Sequence, residues 1–287
     1  MTMNTLFLSF LREIQRHFWV YLFLSLLAIP FVFPFLWMVS GSLKPQIEIF
    51  ATPPTLIPRN IQWENYARVF ELQPFARQYW NSVWIATVVT IGTLVFSSLS
   101  GYAFARIRFW GSGVLFVLLL SALMMPEEVI IVPKFMLVQH LSLDDTHWPL
   151  VIFPIFGAQG VVATFMMRQH FLGLPDELEE AARLDGLSRW GMFWLIVIPI
   201  SRPILTAVAI ITFLYSWNSF LEPLVYLQSS ELFTLPIALR AFTNESGIPI
   251  WEVQLAATTL SVLPILVFYM LAQRLVVESF ASSGVKG

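Results

Sequence analysis

The densest group of ionisable side chains in this 287-residue sequence lies in one short stretch, Leu174-Pro-Asp-Glu-Leu-Glu-Glu-Ala-Ala-Arg-Leu-Asp-Gly186. Carboxylates and an arginine at this spacing form ion pairs and a docking face. They lack the histidine pair or the nucleophile that acid–base or covalent catalysis requires. The remaining catalytic inventory is empty. The sequence has no Gly-Lys dipeptide, hence no P-loop, and neither Gly-x-Ser-x-Gly nor His-Glu-x-x-His. It has no cysteine, which rules out a disulfide framework, thiolate-bound zinc and iron–sulfur clusters. His17, His140, His147 and His170 each fall at the edge of an apolar window, where an interfacial or loop histidine is the ordinary reading. No catalytic residue, no metal site and no cofactor bound by this chain are expected.

The charged stretch reads as a helix. Pro175 suits a first helical position, and Asp176, Glu177, Glu179 and Glu180 complement the positive end of a helix. Leu178, Ala181, Ala182 and Asp185 follow the i, i+3, i+4, i+7 spacing of one face. Gly186 is where such a helix stops, because glycine takes the left-handed cap cheaply. A helix of about three turns thus ends abruptly and turns into a second segment, 188–198. Its small alanine face lets another surface approach closely. An ordinary surface helix joining two larger elements fits the same residues.

The elements that must carry this helix are membrane spans. Of the residues, 57% are apolar, 15% aromatic and only 12% charged, about half the ~25% usual in soluble domains. A hydrocarbon core of ~30 Å needs about 20 apolar residues. Six windows free of Asp, Glu, Lys and Arg meet or approach that length: 18–40, 79–105, 109–126, 147–167, 203–221 and 253–273. The first follows Arg12 and Arg16 but is longer than a signal core and lacks a small-x-small exit, so it counts as a span. Residues 127–143 are apolar but short, and Pro133 and Lys134 are expected to break them; they read as an interfacial or re-entrant piece. The expectation is an all-α integral membrane protein of six transmembrane helices, residues 1–287 forming one domain in contact with lipid.

Orientation follows from the basic residues. With the N-terminus inside, ten of the 16 Lys and Arg lie inside and six outside: Lys44, Arg59, Arg68, Arg77, Lys134 and Arg240. Both termini are therefore placed in the cytoplasm, and so is the charged loop 168–202. A formal net charge of −2 offers no phosphate-neutralising excess, so nucleic acid is not an expected partner.

Two polar stripes cross the spans. Thr90, Thr93, Ser97, Ser100 and Gly101 recur at helical spacing in the second. In the fifth, Thr212, Tyr215, Asn218, Ser219 and Glu222 share one broad side, with Trp217 beside them. Hydroxyls and aromatics suit a sugar, and small hydroxyl residues equally suit helix–helix packing. The outer loop 222–252 carries Phe233, Leu235, Phe242 and Trp251, too apolar for a freely solvated segment. The tail from Ser282 to Gly287 is small and polar, with the composition of a loose end.

At this level of detail the chain resembles a known family. Glu180-Ala181-Ala182, three residues, Gly186, nine residues, then Ile196-Val197-Ile198-Pro199 is similar to the EAA loop of ABC importer permeases. Ile198 and Leu187 stand where that family usually has Leu and Ala. Ser216-Trp217-Asn218-Ser219-Phe220, Phe233-Thr-Leu-Pro-Ile237 and Gly284-Val-Lys-Gly287 resemble the carbohydrate-uptake, MalG-like branch, with Ser219 in place of the usual aspartate. The resemblance implies the type I importer permease fold in a bacterial inner membrane, importing a sugar or sugar-like solute. It also implies a second, different permease subunit, two cytoplasmic ATPase subunits that bind ATP and magnesium, and an extracytoplasmic solute-binding protein.

By the same resemblance Glu180, Ala181, Ala182, Asp185, Gly186 and Pro199 form the ATPase-coupling loop. Tyr215, Trp217, Asn218, Ser219 and Glu222 are candidates for the solute path. Phe242, Thr243, Asn244, Glu245, Ser246 and Gly247 are candidates for contact with the binding protein, and the tail for a place between the ATPase subunits. Two other classes compete. A stand-alone secondary transporter should show intramembrane carboxylates or an inverted repeat, and neither is evident. An integral-membrane enzyme should cluster His, Asp or Glu at one membrane face, and only 168–202 does so, without a histidine pair.

Overall fold

The computed structural model describes residues 17–244 and 246–283. In chain order the principal helices are α1 (Phe18–Ser42), α2 (Glu64–Leu72), α3 (Phe75–Arg106), α4 (Ser112–Ser121), α5 (Glu127–His140), α6 (Trp148–Phe156) and α7 (Ala158–Leu172). They continue as α8 (Asp176–Leu184), α9 (Arg189–Met192), α10 (Arg202–Trp217), α11 (Leu221–Tyr226), α12 (Leu235–Arg240) and α13 (Trp251–Ser283). Among the described residues the only extended pairing is an isolated bridge between Thr243 and Pro249.

Three stretches are long and apolar enough to cross a bilayer: Phe18–Ser42, Phe75–Arg106 and Trp148–Leu172. Two helix pairs join them if each bent pair is one span: Ser112–Met124 with Glu127–His140, bent by 101°, and Arg189–Ile200 with Arg202–Trp217, bent by 76°. The described residues thus hold three to five candidate spans. The window 253–273 falls on α13, whose described apolar part, Trp251–Val267, is shorter than a span.

Prolines place both bends. Met125 precedes Pro126 and is extended, at φ −91° and ψ 116°, as a residue before proline prefers; Pro126 then caps α5. Pro203 enters the first turn of α10 after Ser201. Pro133, by contrast, does not interrupt its segment. The break expected at Pro133 and Lys134 is corrected: α5 runs through both as one helix, losing a single ladder bond.

The chain divides into two compact units, each described by itself. One takes the chain up to Glu71 together with Phe242–Leu260. Here α1 exposes Trp19, Phe23, Ile29 and Phe31 along its length, the surface of a helix made for an apolar surround. Its foot is anchored differently. Lys44, 1% exposed, donates to the Thr55 carbonyl, and Asn65 Nδ2 donates to the carbonyls of Ser42 and Lys44, both at 3.0 Å.

The other unit comprises Leu72–Ala241 and the chain from Ser261 onward. Its long helix α3 packs along α7, α10 and α6. One apolar cluster joins Ile85, Val89, Leu150, Val151, Ile155 and Tyr226. A second joins Tyr102, Ala163, Met167 and Phe171 with Ala182, Met192, Phe193 and Val197, so segment 168–202 is seated in a core. Between α5 and α6, Asp145 adopts φ +51° and its N–H donates to the Tyr226 carbonyl at 2.9 Å. Its carboxylate accepts from the amides of Gln228 and Ser229 and from the Ser229 hydroxyl. Those bonds, the Ser229 hydroxyl's foremost, hold the Asp145 carboxyl below the usual carboxylate range.

Candidate functional site

Helix α8 starts at Asp176 after the extended Pro175 and ends on glycine as expected. Gly186 stands at φ +80°, its N–H donating to the Arg183 carbonyl and the Leu187 N–H to that of Ala182, both at 3.0 Å. This paired closure is the Schellman arrangement, with Leu187 packed against the apolar cluster that includes Ala182. Ser188 caps the next helix, its hydroxyl accepting from Gly191 N–H at 3.1 Å. One π-helical turn, Phe193–Val197, leads to Ile198–Ile200, which contains Pro199.

The face formed by Leu178, Ala181, Ala182 and Asp185 points mostly outward. Of Leu178, Ala181, Ala182 and Asp185, only Ala182 is buried, at 2% exposure. Glu180, Ala181, Asp185 and Gly186 lie exposed, and Leu184 is 90% exposed. The inward partner of Ala182 is Glu179, a charged residue that apolar periodicity does not count. Glu179 Oε1 lies 3.5 Å from Arg106 Nε and accepts from the Tyr102 hydroxyl at 3.4 Å, while its other oxygen lies 3.5 Å from Arg183. Arg106 also ion-pairs with Asp176. A polar cleft of about 570 Å³ opens here, lined by Arg106, Arg108, Asp176, Glu179, Glu180 and Arg183 among others. Nothing in the sequence marks Arg106 or Tyr102, for they lie some 70 positions from α8 and follow no local pattern.

The fifth-span candidates divide. Tyr215, Asn218, Ser219 and Glu222 line a cavity of about 310 Å³ together with Glu127 and Glu128 at the start of α5. Tyr215 donates its hydroxyl proton to Glu127 at 2.6 Å, and Lys134 Nζ donates to the buried Glu222 carboxylate at 2.6 Å. Carboxylates that the sequence places outside the windows are thus folded against the fifth span by the bend at Pro126. Trp217 does not line this cavity; it stacks on Phe213 at 5.6 Å and meets Tyr79 edge-on. Of the stripes' other hydroxyls, Thr212 accepts from Gln159 at 3.2 Å, and Ser100 pairs with Thr164 at 2.9 Å.

Hydrogen bonds join Phe242–Asn244 to Ser246–Ile250. Asn244 Oδ1 accepts from the amides of Ser246 and Ile248, Ile250 N–H returns to the Phe242 carbonyl, and Gly247 takes φ +75°. Phe242 is buried, whereas Thr243, Asn244, Ser246 and Gly247 are exposed; Glu245 lies outside the described residues. The terminal segment Gly284–Gly287 also lies outside them. No group of His, Asp or Glu able to hold a metal occurs among the described residues.

Known proteins share this plan. Residues 94–281 match the family described as binding-protein-dependent transport system inner membrane component. The chain is 38% identical over 262 residues to the arabinooligosaccharides transport system permease protein AraQ of Halalkalibacterium halodurans, covering 89% of this chain and 91% of that one. It is 34% identical over 252 residues to the sn-glycerol-3-phosphate transport system permease protein UgpE of Yersinia enterocolitica, covering 85% and 88%. Its fold matches, at a TM-score of 0.77 and 20% identity, a chain in the crystal structure of a bacterial ABC transporter involved in the import of the acidic polysaccharide alginate, over 96% of this chain and 98% of that one. With Ala182 seating a loop helix against the core of a multi-pass helical protein, and with that family's match running from the second half of α3 into α13, the chain belongs to the binding-protein-dependent ABC importer permeases.

Proposed function

We propose that this chain is one of two different permease subunits in an importer for a sugar or sugar-like solute, with two cytoplasmic ATPase subunits and an extracytoplasmic binding protein. A permease of this family is a transport subunit, not a catalytic one, and needs no cofactor of its own. The reading treats residues 1–287 as a single domain of six spans with both termini inside, each bent pair counting once and α13 supplying the sixth. Relatives named for arabinooligosaccharide and glycerol phosphate transport support a polyhydroxylated solute.

One observation carries the coupling role. Helix α8 turns Glu180, Ala181, Leu184, Asp185 and Gly186 to solvent while Ala182 is locked into the core beneath. An exposed face on a rigid seat is what a mechanical contact needs. Tyr215, Asn218, Ser219 and Glu222 are assigned to the solute path, their acceptors and aromatic ring matching hydroxyl groups and an apolar sugar face. Residues 242–247 are assigned to contact with the binding protein.

Uptake of radiolabelled arabinooligosaccharides and glycerol 3-phosphate into vesicles holding all subunits tests the function. It should require both ATP and the binding protein; ATP-independent uptake would make the chain a secondary transporter. Single cysteines tested in the same vesicles should label from outside at Asn60 and Ser246, and at Ser188 only after permeabilisation. The reverse pattern would overturn the orientation.

A further inference from the structure

We propose that Arg106 is the positioning residue that ties α8 to two membrane helices at once, so that a displacement of α8 is delivered to α3 and α7 together. The inference rests on the reading of 168–202 as the coupling loop. Arg106 is the last residue of α3, and its side chain is only 10% exposed. Its Nε–H donates to the Phe171 carbonyl at 3.0 Å and its Nη2 to the Leu174 carbonyl. Its Nη1 donates to the Asp176 carboxylate, and Glu179 Oε1 lies 3.5 Å from its Nε. One guanidinium therefore spans the end of α7, the connecting residues and the first turn of α8.

Each contact has a physical reason. Carbonyls at the end of a helix lack intrahelical donors, and a cation complements the negative end of α7. Asp176 and Glu179 sit at the start of α8, where carboxylates are favoured for the same reason. Only a planar fork with five donors serves these acceptors together; a lysine ammonium is a compact point charge on a flexible stem. Tyr102, about one turn earlier on α3, adds a hydroxyl to Glu179 and an edge-on ring to Phe171 at 5.8 Å.

The backbone route out of α8 is irregular by comparison. On one side it passes through Gly173, Leu174 and Pro175. On the other it passes through the positive-φ Gly186 and the π turn at Phe193–Val197. Movement carried by backbone alone would be taken up in these turns. The Arg106 contacts bypass them.

The test uses the complete transporter in proteoliposomes, with a reporter cysteine at Asn218 in this cysteine-free chain. ATP with orthovanadate is the stimulus, and the rate of maleimide labelling at the reporter is the readout. Arg106→Gln should shrink the nucleotide-driven change in rate at least about fivefold per assembled complex, the lower end of an ordinary coupling, while vanadate-trapped nucleotide persists. Arg106→Lys should fall between, and carries the test if the glutamine variant fails to assemble. A change of wild-type size per assembled complex, even with fewer complexes formed, would reduce Arg106 to an ordinary fold residue and overturn the proposal. Gly186→Val in the same assay separates the two failures. If it leaves the response intact, the coupling-loop reading itself fails. If it abolishes a response that the Arg106 variants keep, only the role of Arg106 fails.

Discussion

A β-carbon at Gly186 would meet nothing within 4 Å, so any cost of substitution there comes from the backbone alone. A β-branched residue held at φ +80° costs about 1–2 kcal/mol, whereas Asn tolerates the left-handed region. ATPase retention on purification should therefore fall in the order Gly, Asn, Val. Equal retention by all three would mean that this cap does not position α8. At Asp145 the prediction concerns pH. The folded-state pKa lies below the unfolded one, so the contribution is complete above the unfolded value of about 3.9. It is lost as pH falls through the lower folded value. Asp145→Ala should lower the unfolding temperature at neutral pH, and the gap to wild type should close in acid. A gap that persists in acid would assign the effect to something other than the carboxylate.

Among elements, the seam between α3 and α7 is set by one close approach. A β-carbon at Gly101 would lie 2.8 Å from Met167 Cβ and 3.0 Å from the Arg168 nitrogen, and the second of these is backbone that cannot swing aside. Gly101→Leu should destabilise the protein by about 1–3 kcal/mol or more, seen as a lower unfolding temperature in detergent; an unchanged value would mean that the helices separate freely. Local signals are the legible ones. The start of α8 at Pro175, its stop at Gly186 and the apolar windows all depend on residues within a few positions of one another. The inward face of α8 escapes apolar periodicity because Glu179, a carboxylate, is the residue turned toward Arg106. Pro126 and Pro133 look alike in one dimension, yet only the first bends the chain. The cavity beside Tyr215 is half legible: the fifth-span residues are visible, but Glu127 and Lys134 reach them across 88 positions.

At the scale of the whole molecule, the family match over 94–281 makes the chain a transport permease and not the catalytic subunit, and the remaining question is how force enters. The most direct measurement is transport by the Glu180→Lys, Gly186→Val double variant with every subunit quantified. Neither residue lies in a candidate span, so membrane insertion and pairing with the proposed second permease should be retained. The lysine of Glu180→Lys would repel a cationic dock that the native carboxylate attracts, and the valine of Gly186→Val would tilt the helix carrying it. The predicted result is normal permease abundance with ATPase retention or hydrolysis-coupled uptake lost. Wild-type uptake at wild-type subunit ratios would contradict the coupling role of α8.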